Sequence, residues 1–427
     1  MTQPRTLDAI RVDYPAPAHV PKDRLVDLGF ALGGQPNDLV DPYEPFGWLA
    51  GADIPRLLFN PPPPGGHGAG LASMSAGKGS WIATHYEDID RIYTDNEHFS
   101  NKGTAEFQRL IGETFPSIPL AIDPPDHSKY RLFLAPHFGP ARLNRMEADI
   151  RALAAGMIDE FADKGEVDVA WDFGRVYPVR IFMGLMGFPP AMFEQFLDWE
   201  WDILHSGTFE KMGAALRGVL DFLRSFIKEK EAKPDAYLVS SIVNGRINGE
   251  PLTDDEKIGI VWFLWLGGLD TVAATISQMF RRMALQPEIQ DQLRGHPELI
   301  QPAVEEFLRT QPILSSSRSA KKDFEWHGMQ IRKGDSFQCL NPAGNFDPAR
   351  FDNPREFDMT RKANRHMTFV AGVHLCLGAP LARRELRILL DEWFKRIPAF
   401  RVRPGADTTV FPGLLSIRNL PLVWDGK

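Results

Sequence analysis

Apolar residues recur at helical spacing over much of the chain, and one such segment is longer than the others. It begins with Thr253-Asp254-Asp255-Glu256, a pattern that is typical of a helix capping box. Apolar residues then continue over 258–279, two arginines lie near the end, and a proline follows at position 287. The pattern predicts the longest helix of the protein here.

The same periodicity predicts further helices on both sides of this segment. They cover residues 87–96, 142–164, 176–186 and 379–397, and amphipathic helices rich in Trp and Phe cover 191–226. Short alternating segments predict strands at 80–84, 324–331 and 335–340, and a last hairpin over 414–424. Residues 346–364 are rich in Pro and Asp, which predicts irregular chain.

Composition is that of a globular protein. The chain has 427 residues, of which 43% are hydrophobic and 24% charged, with a formal net charge of −8. No basic stripe indicates nucleic-acid binding. The two cysteines, Cys339 and Cys376, make neither a disulfide framework nor a zinc set, so a reducing cytoplasm fits. Residues 1–21 lack an apolar signal core and the run 258–269 is too short to span a bilayer, so we expect a soluble protein.

Two segments near the N-terminus have turn-rich composition. Residues 1–45 contain scattered prolines and read as an extended arm. Residues 61–70 combine four prolines with several glycines, but they lack the Gly-Lys-Ser/Thr ending of a phosphate-binding loop. Turn chemistry favours a flexible surface connection there over a nucleotide site.

Cys376 lies in residues 369–378, with glycines on both sides and an apolar helical run directly after it. The N–H groups of such a loop and helix start can donate to sulfur, and the helix dipole favours negative charge there. A thiolate held in this way suits an axial haem ligand. A lone cysteine is also commonly a small buried apolar residue, and residue type alone leaves both interpretations open.

Three further pairs each have a structural and a functional interpretation. His127 and Arg131 share one helical face at i, i+4, which is common on a solvated surface. Glu306 and Arg309 are spaced like a surface ion pair. The stretch Gly267-Gly268-Leu269-Asp270-Thr271 weakens the long helix. Its structural interpretation is a kink or a close helix crossing, and its functional interpretation is a catalytic segment.

Taken together, these motifs resemble one family. Phe369, Gly372, His374, Cys376 and Gly378 match Phe-x-x-Gly-x-His-x-Cys-x-Gly, the haem-binding loop of the cytochrome P450 family. The other three motifs occur in that family's order and spacing. Segments 177–183, 267–272 and 420–425 resemble the bacterial camphor-hydroxylase group.

The resemblance implies a fold and a cofactor site. The fold is mainly α with small β-sheets (α+β), a triangular helical domain over 1–427 with haem between the long central helix and the helix after the Cys loop. Haem b is held by the Cys376 thiolate, Asp270 and Thr271 relay protons, and Glu306–Arg309 is structural. The other residues implied to contact the cofactor are His127, Arg131, Gly267, Arg318, Phe369, His374 and Gly378, of which His127, Arg131, Arg318 and His374 are candidate partners of the haem propionates.

The family also implies partners. Because the sequence shows no flavin or nicotinamide domain, electrons for O2 come from a separate [2Fe–2S] ferredoxin and its NADH-dependent reductase. Helices over about 185–230 cover the pocket as a lid, and we expect a cytoplasmic monomer without membrane attachment. Two rival functions are a peroxide-using haem-thiolate enzyme, which the Asp270–Thr271 pair argues against, and a haem sensor or carrier without catalysis.

Alignment with the camphor group predicts a small apolar pocket suited to a compact terpenoid. Its wall residues are Phe107, Phe115, Phe263, Leu266, Leu314, Leu414 and Leu415. The camphor enzymes have at the position of Phe115 a Tyr hydroxyl that holds the ketone, so camphor is predicted to be a poor substrate and 1,8-cineole a better one. Two departures from the family are Val370, where Gly is common, and Ser316, where the group has an Asp near a propionate.

Overall fold

A computed structural model describes residues 6–29, 41–62, 79–204, 206, 208–362, 364–411 and 414–425. Most of the predicted helices are present. The α-helices in these ranges are α1 (Glu44–Leu49), α2 (Tyr86–Thr94), α3 (Asp126–Leu134), α4 (Pro140–Asp159), α5 (Tyr177–Met186), α6 (Phe193–Leu204), α7 (Phe209–Ala232), α8 (Leu238–Val243), α9 (Asp254–Gly267), α10 (Asp270–Leu285), α11 (Pro287–Gly295), α12 (Ile300–Thr310), α13 (Asn341–Asn345) and α14 (Ala379–Arg396).

The strands form small sheets beside these helices. In chain order they are β1 (Leu57–Asn60), β2 (Ser80–Ala83), β3 (Phe99–Ser100), β4 (Glu166–Asp168), β5 (Arg246–Ile247), β6 (Glu250–Pro251), β7 (Ser316–Ala320), β8 (Phe324–Trp326), β9 (Met329–Ile331), β10 (Ser336–Cys339), β11 (Phe400–Val402), β12 (Val410–Phe411), β13 (Ser416–Ile417) and β14 (Pro421–Trp424). A five-stranded sheet has the order β1-β2-β10-β7-β3, with β10 parallel to β2, and a three-stranded sheet has the order β11-β14-β4.

The predicted central helix is present but interrupted. The capping box is confirmed, because Thr253 Oγ1 accepts from the Glu256 N–H at 3.2 Å and Glu256 Oε2 accepts from the Thr253 N–H at 2.8 Å. The helix breaks between α9 and α10 at the paired glycines. A Cβ on Gly268 would lie 2.5 Å from the Phe182 ring, so close packing of α5 explains this glycine.

The central helix lies in the main hydrophobic core, which runs from Ile10 to Trp424. Trp262, Trp265 and Phe280 are fully buried, and the Phe280 ring lies edge-on to Trp393 of α14 at 4.4 Å. Within the described ranges, only the stretch 254–285 is long and apolar enough to cross a membrane. Most of its apolar window is buried, as in the core helix of a globular protein.

The N-terminal prediction is wrong in part. The described residues of the arm form two short 3₁₀-helices, and Leu25 bridges to Phe59 of β1. Val26 and Leu28 are fully buried, so apolar packing ties this segment to the core. Residues 63–70 of the predicted surface loop lie outside the described residues.

The tail prediction is wrong. Residues 414–424 do not form a hairpin, since β13 pairs with β12, whereas β14 pairs with β11 and β4. The Asp168 carboxylate accepts from the Leu420 N–H at 2.9 Å and thereby directs the chain toward β4. The amphipathic helices predicted over 191–226 are present as α6 and α7.

Candidate active site

The Cys loop connects a 3₁₀-turn, Gly372–His374, to the start of α14. The Cys376 N–H donates to the Phe369 carbonyl oxygen at 3.0 Å. The Cys376 side chain is accessible to solvent. The largest influence on the pKa of its thiol is desolvation by the surrounding protein, which raises that pKa. The N–H groups of Gly378 and Ala379 and the charge of Arg131 oppose that rise. The loop thus supplies the thiolate-stabilising donors expected of a ligand.

Cys339 has a different environment. It is fully buried on β10, and burial raises the pKa of its thiol to about 12. A thiol of this kind is inert at neutral pH. Cys376 is therefore the cysteine of this chain suited to ligation.

Two residues of the Cys loop have left-handed backbone. Gly372 has φ +70°, and a Cβ there would lie 2.5 Å from the Tyr93 carbonyl oxygen, so only glycine fits. Val370 has φ +56°, which is rare for a β-branched residue. Its N–H donates to the Met367 carbonyl oxygen at 2.8 Å and closes a turn. The glycine common in the family at this position is thus replaced by a residue that strains the turn.

His127 of α3 and His374 of the Cys loop lie against each other, with ring centroids 4.3 Å apart. Both are buried, and in the described part of the chain neither Nε2 atom has a hydrogen-bond partner. Desolvation lowers the pKa of both imidazoles, to about 3 for His374. Both rings are therefore neutral at pH 7, and each has one N–H to donate.

Two guanidinium groups join these histidines. Arg318 of β7 is 5% exposed, and its Nη1 donates to the Ser317 carbonyl oxygen at 2.7 Å. Arg131, one turn after His127, is half-buried, and its charge interacts with Cys376. Desolvation lowers the pKa of both arginines, and no carboxylate of the described residues forms an ion pair with either. One buried and one half-buried cation beside two imidazole donors suit a ligand with two carboxylates.

Asp123 is the carboxylate whose charge acts on this cluster, and sequence reasoning missed it. Its Oδ2 accepts from Ser100 Oγ at 2.7 Å and its Oδ1 from the Asn101 N–H at 2.9 Å. These bonds hold it within the loop before α3. Ser316, where the camphor group has an Asp, contacts the Tyr93 hydroxyl at 3.0 Å and Arg318 Nη1 at 3.4 Å.

One face of the central helix is open around the break between α9 and α10. Phe263, Leu266, Gly267, Asp270 and Thr271 lie on this face and are partly or fully accessible, and Gly268 and Val272 beside them are also partly accessible. A Cβ on Gly267 would meet no atom within 4 Å, so this glycine borders open space, unlike Gly268. Thr271 Oγ1 donates to the Gly267 carbonyl oxygen at 3.3 Å. The structure therefore brings the predicted alcohol, acid and small residue to one accessible surface.

Glu200 of α6 is a second carboxyl group near the predicted acid and was missed from the sequence. It is buried, and its pKa is raised well above the usual range, first by desolvation and then by the charge of Asp270. Arg175 opposes this rise. The Trp199-Glu200-Trp201-Asp202 stretch carried no signal that this acid would face Asp270.

Glu306 and Arg309 are not a surface pair. Both are fully buried, with Arg309 Nη2 to Glu306 Oε1 at 2.6 Å. Arg309 also donates to the carbonyl oxygens of Asn345, Pro354 and Glu356 at 2.9, 2.6 and 3.0 Å. The pair thereby fixes the irregular chain that leads to the Cys loop.

The predicted wall residues reach the central helix from three segments. Leu314 and Leu414 pack with Ala274, and the Leu415 carbonyl oxygen accepts from Gln278 Nε2 at 2.5 Å. Phe107 and Phe115 belong to a loop on α9 and are only 4% and 2% exposed. The structure thus places these five residues in three different contacts with α9 and α10, while Phe263 and Leu266 lie on the open helix face itself.

A family model described as Cytochrome P450 matches residues 190–409. The probable cytochrome P450 127A1 of Sinorhizobium fredii is 34% identical over 414 residues, 96% of this chain and 97% of that protein. The chain belongs to the cytochrome P450 family. Crystal structures of CYP101J2 and CYP101C1 each match with a TM-score of 0.82, at 28% and 30% identity, over 96% of this chain and 100% of theirs. The P450 fold and the resemblance to the camphor-hydroxylase group are confirmed.

Other P450 relatives carry more specific names. The linalool 8-monooxygenase of Pseudomonas putida is 28% identical over 77% of this chain and 85% of that protein. The steroid C26-monooxygenase of Mycobacterium tuberculosis is 31% identical over 77% and 89%. Similarity at this level thus spans substrates of different sizes.

The P450 family binds haem b through a cysteine thiolate. The residues of this chain fit that group. Cys376 presents an accessible sulfur with backbone donors, and His127 and His374 have buried, unpartnered Nε2 atoms. Arg131 and Arg318 supply the charge that two propionates need.

Proposed function

We propose that this P450 monooxygenase hydroxylates a compact, low-polarity monoterpenoid, 1,8-cineole-like or camphor-like, with O2 and two electrons from a ferredoxin. The observation that carries the substrate class is the composition of the wall. All seven predicted wall positions are apolar, and Phe115 presents a ring without a hydroxyl. Such a surface binds by shape and apolar contact. A relative named for linalool agrees with this class, and the steroid enzyme marks the alternative of a larger substrate.

The residues of the Cys loop and of the histidine–arginine cluster have separate roles in holding haem. Bound haem supplies the redox chemistry that activates O2. Cys376 ligates it, while Gly378 and Ala379 N–H groups stabilise the sulfur. The two arginines and two histidines hold its carboxylates, and Phe369 and Gly378 shape the loop.

Proton delivery is assigned to the open helix face. The Thr271 hydroxyl, now donating to the Gly267 carbonyl oxygen, can reorient toward the open space beside it. Asp270 is partly accessible and passes protons from solvent to this hydroxyl. Neither residue serves a haem sensor or carrier, so this pair favours monooxygenation.

We further propose that a [2Fe–2S] ferredoxin and an NADH-dependent reductase supply the electrons, and that the enzyme is a cytoplasmic monomer. Helices α6 and α7 cover most of the predicted lid region and serve as the lid. The support for this lid is the packing of α7 beside the loop with Phe107 and Phe115, including the ion pair of Arg224 and Glu113 at 2.6 Å.

The first test is an optical titration of the ferric holoprotein with 1,8-cineole and camphor in parallel. A low- to high-spin Soret shift with cineole and little with camphor is expected. Tight camphor binding would show that another residue holds the ketone, and the Phe115 alignment would be wrong. A shift with neither terpenoid would contradict the substrate class.

The second test separates the reaction classes. Ferredoxin and reductase are added, and substrate-dependent NADH consumption is compared with product formed. Coupled turnover supports the monooxygenase. Product formed only with added hydrogen peroxide would favour the peroxide-using enzyme, and substrate binding without product by either route would favour a sensor or carrier.

A further inference from the structure

One buried side chain joins the loop of Phe107 and Phe115 to the central helix. Gln108 has 0% exposure, and its Nε2 donates to the Phe115 carbonyl oxygen at 2.8 Å. Its Oε1 accepts from Trp262 Nε1 at 3.1 Å and, more weakly, from Ser117 Oγ at 3.5 Å. The amide therefore connects both ends of the loop to α9.

The same loop meets α9 one turn earlier, by backbone. The Ile118 N–H donates to the Gly259 carbonyl oxygen at 3.2 Å, and a Cβ on Gly259 would lie 2.4 Å from the Pro116 carbonyl oxygen. This contact fixes the end of the loop. The segment from Phe107 to Phe115 is attached to α7 by the ion pair of Glu113 and Arg224, but its side-chain hydrogen bond to α9 is made by Gln108.

Removing the Gln108 amide would leave two buried groups without partners, the Trp262 N–H and the Phe115 carbonyl. Buried polar groups in that state are costly, so the loop would move off the helix until water reaches them. Phe107 is the residue directly before Gln108, and Phe115 is the residue whose carbonyl it holds. Both rings would move with the loop.

We propose that Gln108 is a positioning residue that sets the spacing of Phe107 and Phe115 from the central helix and so determines which substrates fit. This inference deepens the proposed function and rests on it for the identity of the wall. A purely structural amide would support folding without affecting ligand selection.

The test uses two probes that ligate the ferric iron of the holoprotein through nitrogen. Imidazole reports access to the iron, and 4-phenylimidazole adds a ring that must fit against the pocket wall. The ratio of their dissociation constants isolates the wall from haem occupancy. It requires no knowledge of the natural substrate.

Gln290 provides the matched control. It is 1% exposed, its Nε2 donates to the carbonyl oxygens of Met283 and Phe400 at 2.8 and 2.9 Å, and its Oε1 accepts from the Phe400 N–H at 3.0 Å. It is thus the same buried amide with a similar bond set, between α11 and β11. Gln108→Leu and Gln290→Leu should both lower the melting temperature.

The Gln108 and Gln290 variants should differ in the ratio of the dissociation constants of 4-phenylimidazole and imidazole. Gln108→Leu should weaken 4-phenylimidazole relative to imidazole by about tenfold, equal to ~1.4 kcal/mol. Gln290→Leu should leave the ratio within about twofold of wild type. Trp262→Phe removes one donor and leaves the bond to Phe115, so a shift of about threefold is expected.

An unchanged ratio in Gln108→Leu would overturn the proposal. If that variant yields no holoprotein, Trp262→Phe decides in the same way. Failure of the terpenoid substrate class would appear separately, as no spin shift of the wild-type protein with 1,8-cineole or camphor.

Discussion

Substituting Val370 by alanine and, separately, by glycine isolates the cost of left-handed backbone in the Cys loop. Val370 has φ +56° and its side chain is half-buried. Alanine removes most of the side-chain packing but keeps the unfavourable backbone. Glycine also removes the Cβ methyl group and with it the steric conflict of left-handed backbone, so the two variants differ in backbone freedom and in one half-buried methyl group.

The expected difference follows from two opposing terms. A left-handed conformation costs an L-residue about 1–2 kcal/mol, which glycine avoids. Glycine in turn loses roughly 0.5–1 kcal/mol more conformational freedom on folding. Val370→Gly should therefore be more stable than Val370→Ala by about 0.5–1 kcal/mol.

Ala371 is the control, because it is the next residue, is buried, and has φ −139°. Ala371→Gly should destabilise the protein by about 1–2 kcal/mol through chain entropy and a lost buried methyl group. The assay is urea denaturation of the ferric holoprotein followed at the Soret band. Haem transfer to apomyoglobin is a second readout and should be about two- to fivefold slower for Val370→Gly than for Val370→Ala.

The strained-turn interpretation is tested by the sign of the change in unfolding free energy between alanine and glycine at each of the two positions. Stabilisation at 370 with destabilisation at 371 supports a strained turn. Destabilisation at both positions would show that residue 370 is not held left-handed in solution, and the reasoning would fail.

The other predictions concern protons, substrate and pH. Thr271→Ala should lower the fraction of NADH electrons recovered as product by roughly tenfold to a hundredfold, with peroxide released instead; unchanged coupling would remove Thr271 from the relay. Phe115→Tyr should tighten camphor binding about fivefold in the Soret titration through a restored hydrogen bond, and no gain would place residue 115 elsewhere. Glu305, paired with His366 and Arg383, has a pKa lowered to about 2, so it stabilises the fold above its unfolded pKa and this is lost as pH falls toward 2. Glu305→Gln should lower the melting temperature at pH 7 and make little difference near pH 2; an equal loss at both would refute the assignment.

Local signals explain which elements could be predicted. The capping box at Thr253 and the apolar period after it act within one helix, and the start of the central helix is confirmed. Strand β7 was missed because its Ser-rich sequence, Ser316–Ala320, lacks the apolar alternation of a strand. The pairing of β14 with β4 depends on residues about 250 positions apart, as in the bond from Leu420 N–H to Asp168. No turn signal in the tail encodes such a contact.

The residues of the site also fall into those that local sequence predicts and those that depend on tertiary packing. The motif residues could be named because each motif is short and ordered along the chain. Asp123, Glu200 and Gln108 could not, since a single polar residue in a loop or aromatic stretch has no period. Their roles arise only when α6, α9 and the loops pack together and desolvate them.

The gathering of Arg131, Arg318, His127 and His374 has a consequence for how much of the enzyme a cell accumulates. A ligand that binds only the native chain stabilises it according to its free concentration. Chains made faster than haem is supplied keep the charges of Arg131 and Arg318 without the haem carboxylates, spend more time locally open, and are degraded first. The steady-state amount of this P450 should therefore depend on the supply of haem as well as on the rate at which the chain is made.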